Sequence, residues 1–476
     1  MSQALRWCVL PLAASLWMAS VASSAQAQER ELSLGDAYRL ALQNNETFRI
    51  GDEVVKRARL AYDKALALLL PTLRVEGNYT FFDTEIALDF GARKVVLQQK
   101  NTFGGLGTFT MSLFDARALP GLRQTKIAAK VAEESTAFTQ QDLLFEVTRA
   151  YLGVLASQRL VEVNRHSLSV AEEHLREAAA LAKAGTALRL AVTRAEIEVV
   201  KARREVTRAE NAYEAAWVAL GYLMGQPTRG RLLRPAKPRM PSASVQGLVA
   251  EAQRARRDLR AAREEIVNAQ QGISVARGAY YPSLGLVASS RATQNTGFAD
   301  RILSSQTLLT LGWTIFDGGT RYAELKEKHS LLREATLKHA QLARNIEREV
   351  RSAILDLRTA ETSLETSRRE LELARENHSM VMARFRAGLA TTIEAVDAAT
   401  QMATAEVGVL REELAVDTVR VNVLRAVGAE PIAALAGESG LTRPVPLAVP
   451  HIPEPLFMPY PGRASAPVPS VDRGSP

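Results

Sequence analysis

Three phrases occur twice in this chain, in the same order and about 200 residues apart. "LLLPTLRVEGNYT" at 68–80 returns as "AYYPSLGLVASS" at 279–290. "FTMSLFDAR" at 109–117 returns as "LGWTIFDGG" at 311–319, and "AKAGTALRL" at 182–190 as "FRAGLATTI" at 385–393. A long fixed period marks each half as one structural unit, so the chain is a tandem duplication. Its fold must be built from two like halves.

Within each half the periodicity changes in the same order. Over 34–70 apolar residues recur at helical spacing (Ala37, Leu40 and Ala41, then Ala58, Ala61, Ala65 and Leu68), which predicts one helix ended by Pro71. Val75 to Phe82 then alternates, with Val75, Gly77, Tyr79 and Phe81 on one side. A polar loop containing Gly91 and Gly104-Gly105 leads to a second alternating run, Leu106 to Phe114, with Phe109, Met111 and Leu113 on one side. Period two is what a strand with two different surroundings requires. The second half predicts a helix over 245–280, a strand over 283–290, and another in which Leu309, Leu311, Trp313 and Ile315 alternate with Leu308, Thr310, Gly312 and Thr314.

After each strand pair comes a long stretch free of proline, between Pro120 and Pro227 and between Pro282 and Pro431. A helix of roughly 65 residues would be about 100 Å long. Such a helix needs coiled-coil-like packing, and Ile346, Val350, Ala353, Leu357, Ala360 and Leu364 supply a heptad stripe. Leu168, Ala171, Leu175, Ala178 and Ala182 supply another. Gly185 and Gly388 each interrupt a long stretch once, so each half holds a helical hairpin. The units expected are a first repeat over 28–226 (strand pair about 73–115, hairpin about 117–225) and a basic proline-rich linker over 227–244. A second repeat follows over 245–431 (strand pair about 283–317, hairpin about 319–428), then a proline-rich, disordered tail over 432–476.

The N-terminus reads as a secretory signal peptide over 1–27: Arg6, an apolar run from Trp7 to Ala22, and Ala25-Gln26-Ala27 as the cleavage site. Cys8 is the only cysteine and lies within it, so the mature chain carries no disulfide. No later run of about 18 apolar residues predicts a membrane helix. A net charge of +8 is spread along the helices among Glu and Asp, which suits solvated helix faces and not nucleic acid. The histidines (His166, His174, His329, His339, His378 and His451) are scattered, and neither a zinc-protease, a phosphate-loop nor a nucleophile-elbow motif occurs. An enzyme is not expected, nor a cofactor.

Each chain offers about four strands, whereas membrane barrels need at least about eight and tolerate no open edge in lipid. If these strands cross a membrane, several chains must share one barrel. The chain resembles the TolC-like outer-membrane efflux protein family over roughly Leu32 to Gly428. The resemblance rests on "LSLGDAYRLALQNN" (32–45), the "LPTL" and "YPSL" strand starts, "LFDARAL", "IFDGGTRYAEL" and "RFRAGLATTIEAVDAATQMATAEV" (384–407). It implies a mixed α and β membrane protein: a homotrimer with a transmembrane β-barrel, four strands per chain, on a long α-helical barrel. It implies a passive exit duct in a Gram-negative outer membrane, in contact with its lipid. Its expected partners are a periplasmic adaptor and an inner-membrane pump of a tripartite efflux or type I secretion system.

The resemblance also assigns residues. Glu394 and Asp397, one turn apart on the restarted second hairpin, match acidic positions that ring the periplasmic mouth. Arg194 is the first-half counterpart of Asp397. The alternative for Glu394 is a capping box with Thr391. Some members close this end with an Asp–Arg link; the matching positions here are Ala191 and Ala390, which leaves Phe385 as a hydrophobic closure. The turns Ala184, Gly185, Thr186, Ala187 and Gly388, Leu389, Ala390, Thr391 match the adaptor-docking tips, although a plain hairpin glycine would also explain Gly185 and Gly388. Tyr79, Phe81, Phe109 and Trp313 are the expected membrane-facing aromatics. Two other readings remain: a periplasmic adaptor, which lacks such strand blocks, and a structural coiled-coil protein of the envelope.

Overall fold

The computed structural model describes residues 31–434, apart from 90, 92–93, 186–187, 237–239, 241–242, 295–300 and 433. The expectations for the signal peptide and Cys8, for Thr186 and Ala187, and for the tail beyond Ala434 fall outside the described residues. In chain order the first half contains β1 (Glu31–Leu32), α1 (Leu34–Asn44), α2 (Glu46–Ala67), β2 (Thr72–Phe81), β3 (Ile86–Asp89), β4 (Lys94–Gln98), β5 (Asn101–Phe114), α3 (Ala118–Lys183) and α4 (Arg189–Met224). β6 (Arg231–Leu232) lies in the linker. The second half contains α5 (Val245–Ala255), α6 (Arg257–Gly278), β7 (Ser283–Thr293), β8 (Leu303–Gly312), α7 (Thr320–Arg386) and α8 (Thr392–Val427).

The repeat is kept in the helix lengths. α1 and α5 have 11 residues each, α2 and α6 have 22, α4 and α8 have 36, and α3 and α7 have 66 and 67. At 1.5 Å per residue the last two are about 100 Å long. α2 and α4 pack along α3, and α6 and α8 along α7. In each half the end of the 36-residue helix abuts the joint between the 11- and 22-residue helices: a Cβ on Gly225, at the end of α4, would lie 2.6 Å from the Asn44 carbonyl carbon. Gly428, after α8, sits against Arg256 in the same way.

The first predicted helix of each half differs from expectation. The stretch 34–70 is two helices, and so is 245–280. Asn45 is extended (φ −70°, ψ 129°) and its Oδ1 accepts from Thr47 N–H at 2.8 Å, capping α2. Arg256 is extended too (φ −64°, ψ 127°) but caps nothing with its own side chain. Ser33 and Ser244 cap α1 and α5.

The core lies at these joints, midway along the hairpins. Tyr38, Phe145, Tyr151, Trp217, Leu220 and Met224 are buried together in the first half, and Leu248, Leu259, Ile346, Val350, Val423 and Val427 in the second. The linker is drawn into it. β6 pairs in parallel with β1, Leu232 is buried, and Tyr151 Oη donates to the Leu32 and Leu233 carbonyls at 2.7 and 2.5 Å. Ile346, Val350, Leu357 and Ala360 of the expected seam are buried, with Ala353 and Leu364 half-buried.

The four long strands form one antiparallel sheet in the order β2-β5-β7-β8, so the two halves join at β5 and β7. Two expectations fail here. Gly104 and Gly105 belong to β5, which starts at Asn101, and the loop before it holds the small β3–β4 hairpin. Asn78 Oδ1 lies 2.6 Å from where a Gly104 Cβ would stand, so the Asn78 side chain occupies the space that the glycine leaves. β8 ends at Gly312, so Trp313 and Ile315 are not strand residues. Their partner β7 begins at Ser283, paired with Gly312, and before it Pro282 has no N–H to offer. The Trp313 indole instead donates to the Tyr280 carbonyl at 3.1 Å.

Candidate channel wall and mouth

The register gives the sheet two unlike faces. One row runs Leu73, Phe109, Ala288, Thr307, and its neighbour on the other face runs Arg74, Thr108, Ser289, Gln306. Leu73, Val75, Tyr79, Phe81, Phe103, Met111, Leu286, Leu309 and Leu311 fall on the first face. Arg74, Glu76, Asn78 and Arg291 fall on the second. The apolar face is bare: Leu73, Val75, Phe81 and Leu311 are each at least 67% exposed, a large penalty in water for a face of this size. Three of the four expected aromatics (Tyr79, Phe81 and Phe109) share this face. Phe103, which sequence reading missed, pairs with Tyr79 across the sheet with ring centroids 4.9 Å apart. Placing Gly104-Gly105 in a loop hid it. β2 and β8 are unpaired edges. No helix among the described residues is long and apolar enough to cross a membrane.

The repeated "FD" phrases mark where sheet becomes helix. Asp115 Oδ1 accepts from Arg117 N–H at 2.9 Å, and Asp317 accepts from Gly319 N–H at 3.1 Å and Arg321 N–H at 3.0 Å. Each carboxylate thus satisfies amides at the positive end of a very long helix.

At the joints, Asn45 and Arg256 make the same contact with different chemistry. Asn45 Nδ2 donates to the Leu223 carbonyl at 2.9 Å, and Arg256 Nη1 reaches the Ala426 carbonyl at 3.4 Å. Arg256, only 7% exposed, also binds Asp258 at 2.7 Å and Glu349 at 2.5 Å. Glu349 continues to Arg425 at 3.4 Å, and Arg425 binds Asp142 on α3. The chain of charges therefore crosses from the second half to the first. Neither Gly nor Pro announces these joints in the sequence.

At the far end, Gly185 and Gly388 turn the hairpins with φ of 73° each. The φ requirement accounts for the glycines. Ala184, Gly185, Gly388 and Leu389 are exposed and Ala390 is half-buried. Leu188 and Leu190 on one tip and Leu389 and Ile393 on the other are exposed apolar side chains that helical spacing alone did not single out. The tips differ at the restart. Thr391 and Glu394 form a capping box: Glu394 Oε2 accepts from Thr391 N–H at 2.6 Å, and Glu394 N–H donates to Thr391 Oγ1 at 3.3 Å. The Thr391 N–H first, and then the Thr391 hydroxyl, which donates to the same Oε2 at 3.0 Å, hold the Glu394 carboxyl below its ordinary range. The box and an ionised mouth residue are thus compatible. Leu188, the matching residue, offers no side-chain cap. Asp397 and Arg194 are exposed and Phe385 is half-buried. Among the described residues no three histidine, cysteine or carboxylate side chains gather as a metal cluster.

The model of the outer membrane efflux protein family matches residues 37–226 and 248–429, once per repeat. The fold is similar to that of CusC (TM-score 0.72, 18% identity, 83% of this chain and 92% of that chain). It is also similar to the outer membrane protein VceC of Vibrio cholerae (TM-score 0.69, 15% identity, 83% and 96%) and to the MtrE outer membrane channel of Neisseria gonorrhoeae (TM-score 0.66, 19% identity, 83% and 89%). In sequence, 119 residues are 34% identical to protein CyaE of Bordetella pertussis, a match spanning 25% of each chain.

Proposed function

Because the chain belongs to the outer membrane efflux protein family and resides in that membrane, we propose that three copies close one twelve-stranded barrel there, each giving its four-stranded sheet. The observation that carries this reading is the sheet itself. It has one bare apolar face, one polar face and two unpaired edges, and lipid tolerates none of those edges. Two chains would give the smallest barrel known, with a filled interior; three give room for a lumen. Tyr79, Phe81, Phe103 and Phe109 face lipid, and Trp313 sits at the periplasmic rim, below the last strand pair.

The hairpins continue the barrel as a tube of about 100 Å into the periplasm. Their tips, from Ala184 and Gly185 to Thr186 and Ala187 and from Gly388 to Thr391, dock on a periplasmic adaptor, with Leu188 and Leu389 as apolar anchors. Glu394, Asp397 and Arg194 line the mouth, and Phe385 narrows it. The protein is a passive exit duct of an efflux or type I secretion system. An inner-membrane pump supplies the energy.

The test is the mass and conductance of the detergent-extracted protein. A trimer that opens pores in planar bilayers is expected. A monodisperse monomer without conductance, or release from membranes by salt alone, overturns the reading. Deleting the gene then separates the two systems: small toxic compounds accumulate in the cell, or a secreted protein disappears from the medium.

A further inference from the structure

The four-stranded sheet carries three charged side chains, Arg74, Glu76 and Arg291, and the register puts all three on its polar face. Arg74 Nε binds Glu76 Oε1 at 2.6 Å, so these two charges cancel. Arg291 is exposed, and no described residue pairs with its guanidinium. It lies in one row with Glu76, Leu106 and Ser304. Two strand spacings, about 10 Å in all, separate it from Glu76, which is turned to Arg74 instead.

The repeat explains why this arginine has no counterpart. With Pro71 set against Pro282, Arg291 stands where the first half has Thr80. Both positions fall on the polar face, so the facing is shared and the charge is not. Charge beyond the sheet does not offset it. The connection 82–100 carries three acids and three bases, and 294–302 carries one of each.

We propose that Arg291 is a selectivity residue of the duct: three copies set a ring of three unpaired guanidiniums in the barrel lumen, a site that attracts anionic solutes such as carboxylates and phosphates and opposes the acidic mouth in sign. The ring rests on the trimeric barrel proposed above. An arginine is strongly disfavoured on the lipid face of a barrel, whereas lumen charges tune selectivity, and basic rings are the device of anion pores. A twelve-stranded barrel with strands tilted by about 40° has a circumference of about 75 Å and a radius of about 12 Å. The arginines project inward from that wall, and in about 0.1 M salt a charge is felt over about 10 Å. The ring therefore acts across the whole lumen at that ionic strength or below. It selects by charge and not by shape, because its members stand apart around the wall.

The test is the reversal potential of the detergent-extracted full chain in planar bilayers, across a KCl gradient near about 0.1 M. Arg291→Gln should lower the Cl⁻-to-K⁺ permeability ratio about twofold or more, and Arg291→Lys should restore it. Thr80→Arg, which supplies the missing counterpart, should raise the ratio. The differences should fade in about 1 M KCl, where the screening length falls to about 3 Å. A conducting trimer with an unchanged ratio in Arg291→Gln, or a lysine variant that behaves like the glutamine one, overturns the ring and leaves the barrel standing. Should Arg291→Gln fail to assemble, an unchanged ratio in Thr80→Arg overturns the ring in its place. A chain that opens no pore overturns the barrel, and the ring with it.

Discussion

The joints at Asn45 and Arg256 share a backbone and differ in chemistry. Both residues are extended, both break a helix after 11 residues, and both reach a carbonyl two residues before the glycine that ends the hairpin. The first joint does this with a neutral amide, the second with a buried guanidinium tied to Asp258, Glu349 and, through Arg425, to Asp142 of the other half. Duplication therefore preserved the geometry and left the interaction free to change. The second joint gained an ionic tie between halves that the first joint has no means to make.

Removing the guanidinium should have the largest effect. Arg256→Ala leaves Asp258 and Glu349 without their shared partner, a loss of about 3–5 kcal/mol for a broken buried pair. Asn45→Ala removes a cap and one hydrogen bond, about 1–2 kcal/mol. The measurement is the midpoint of thermal loss of helical circular dichroism at a fixed scan rate, since unfolding of such a protein is expected to be irreversible. Equal shifts for the two variants would mean that the ionic tie adds nothing to the shared geometry.

The glycines reverse the ranking. Both have positive φ, 72° at Gly225 and 78° at Gly428, so alanine costs about 1–2 kcal/mol at either from backbone conformation alone. At Gly225 the new Cβ also meets the Asn44 carbonyl carbon and oxygen at 2.6 and 2.7 Å, and this backbone yields little. At Gly428 the nearest atom is Arg256 Cγ at 2.9 Å, part of a side chain, though Cα and N follow at 3.2 Å. Gly225→Ala should cost about 2–4 kcal/mol and Gly428→Ala less, by about 1 kcal/mol. The yield of assembled protein and the same thermal midpoint report the difference.

The mouth extends the contrast between halves to charge. Glu394 and Asp397 stand where the first half has Ala191 and Arg194. Replacing both acids with alanine should lower cation preference, read as a smaller reversal potential across a salt gradient in planar bilayers, and Arg194→Glu should raise it. Unchanged potentials would remove these residues from the mouth. Glu394 also sets a pH window. Its folded-state pKa is lowered by the bonds from Thr391, so its contribution to the tip is complete above the ordinary glutamate range and is lost as pH falls through the lowered value. Cation preference should accordingly persist into mildly acid solution.

How much of this was legible depended on whether one residue or a distant partner sets the feature. The hairpin turns needed positive φ, and Gly185 and Gly388 announced them. The two-faced strands announced themselves through Val75, Tyr79 and Phe81. The end of β8 did not, because alternation runs on through Trp313 and Ile315 while pairing stops where Pro282 removes the partner. The joints were hidden too. Apolar spacing continues across Asn45, and Arg256 is held extended by tertiary partners, with no local signal to read.

The smallest expected effect is the one that converts one tip into the other. Leu188 already has the extended backbone of a cap residue (φ −79°, ψ 149°), close to that of Thr391 (φ −83°, ψ 158°). What it lacks is an oxygen to accept from the amides of the first turn, and the third residue on, Ala191, cannot reach back. Leu188→Thr with Ala191→Glu should rebuild the box and stabilise the start of α4 by about 0.5–1 kcal/mol. Slower amide exchange at 189–192, matching that at 392–395, is the expected result. If Leu188 is an adaptor anchor, the same variant should weaken complex formation while the tip itself becomes more ordered. A weakened complex with unchanged exchange would separate the leucine's contact from the helix start.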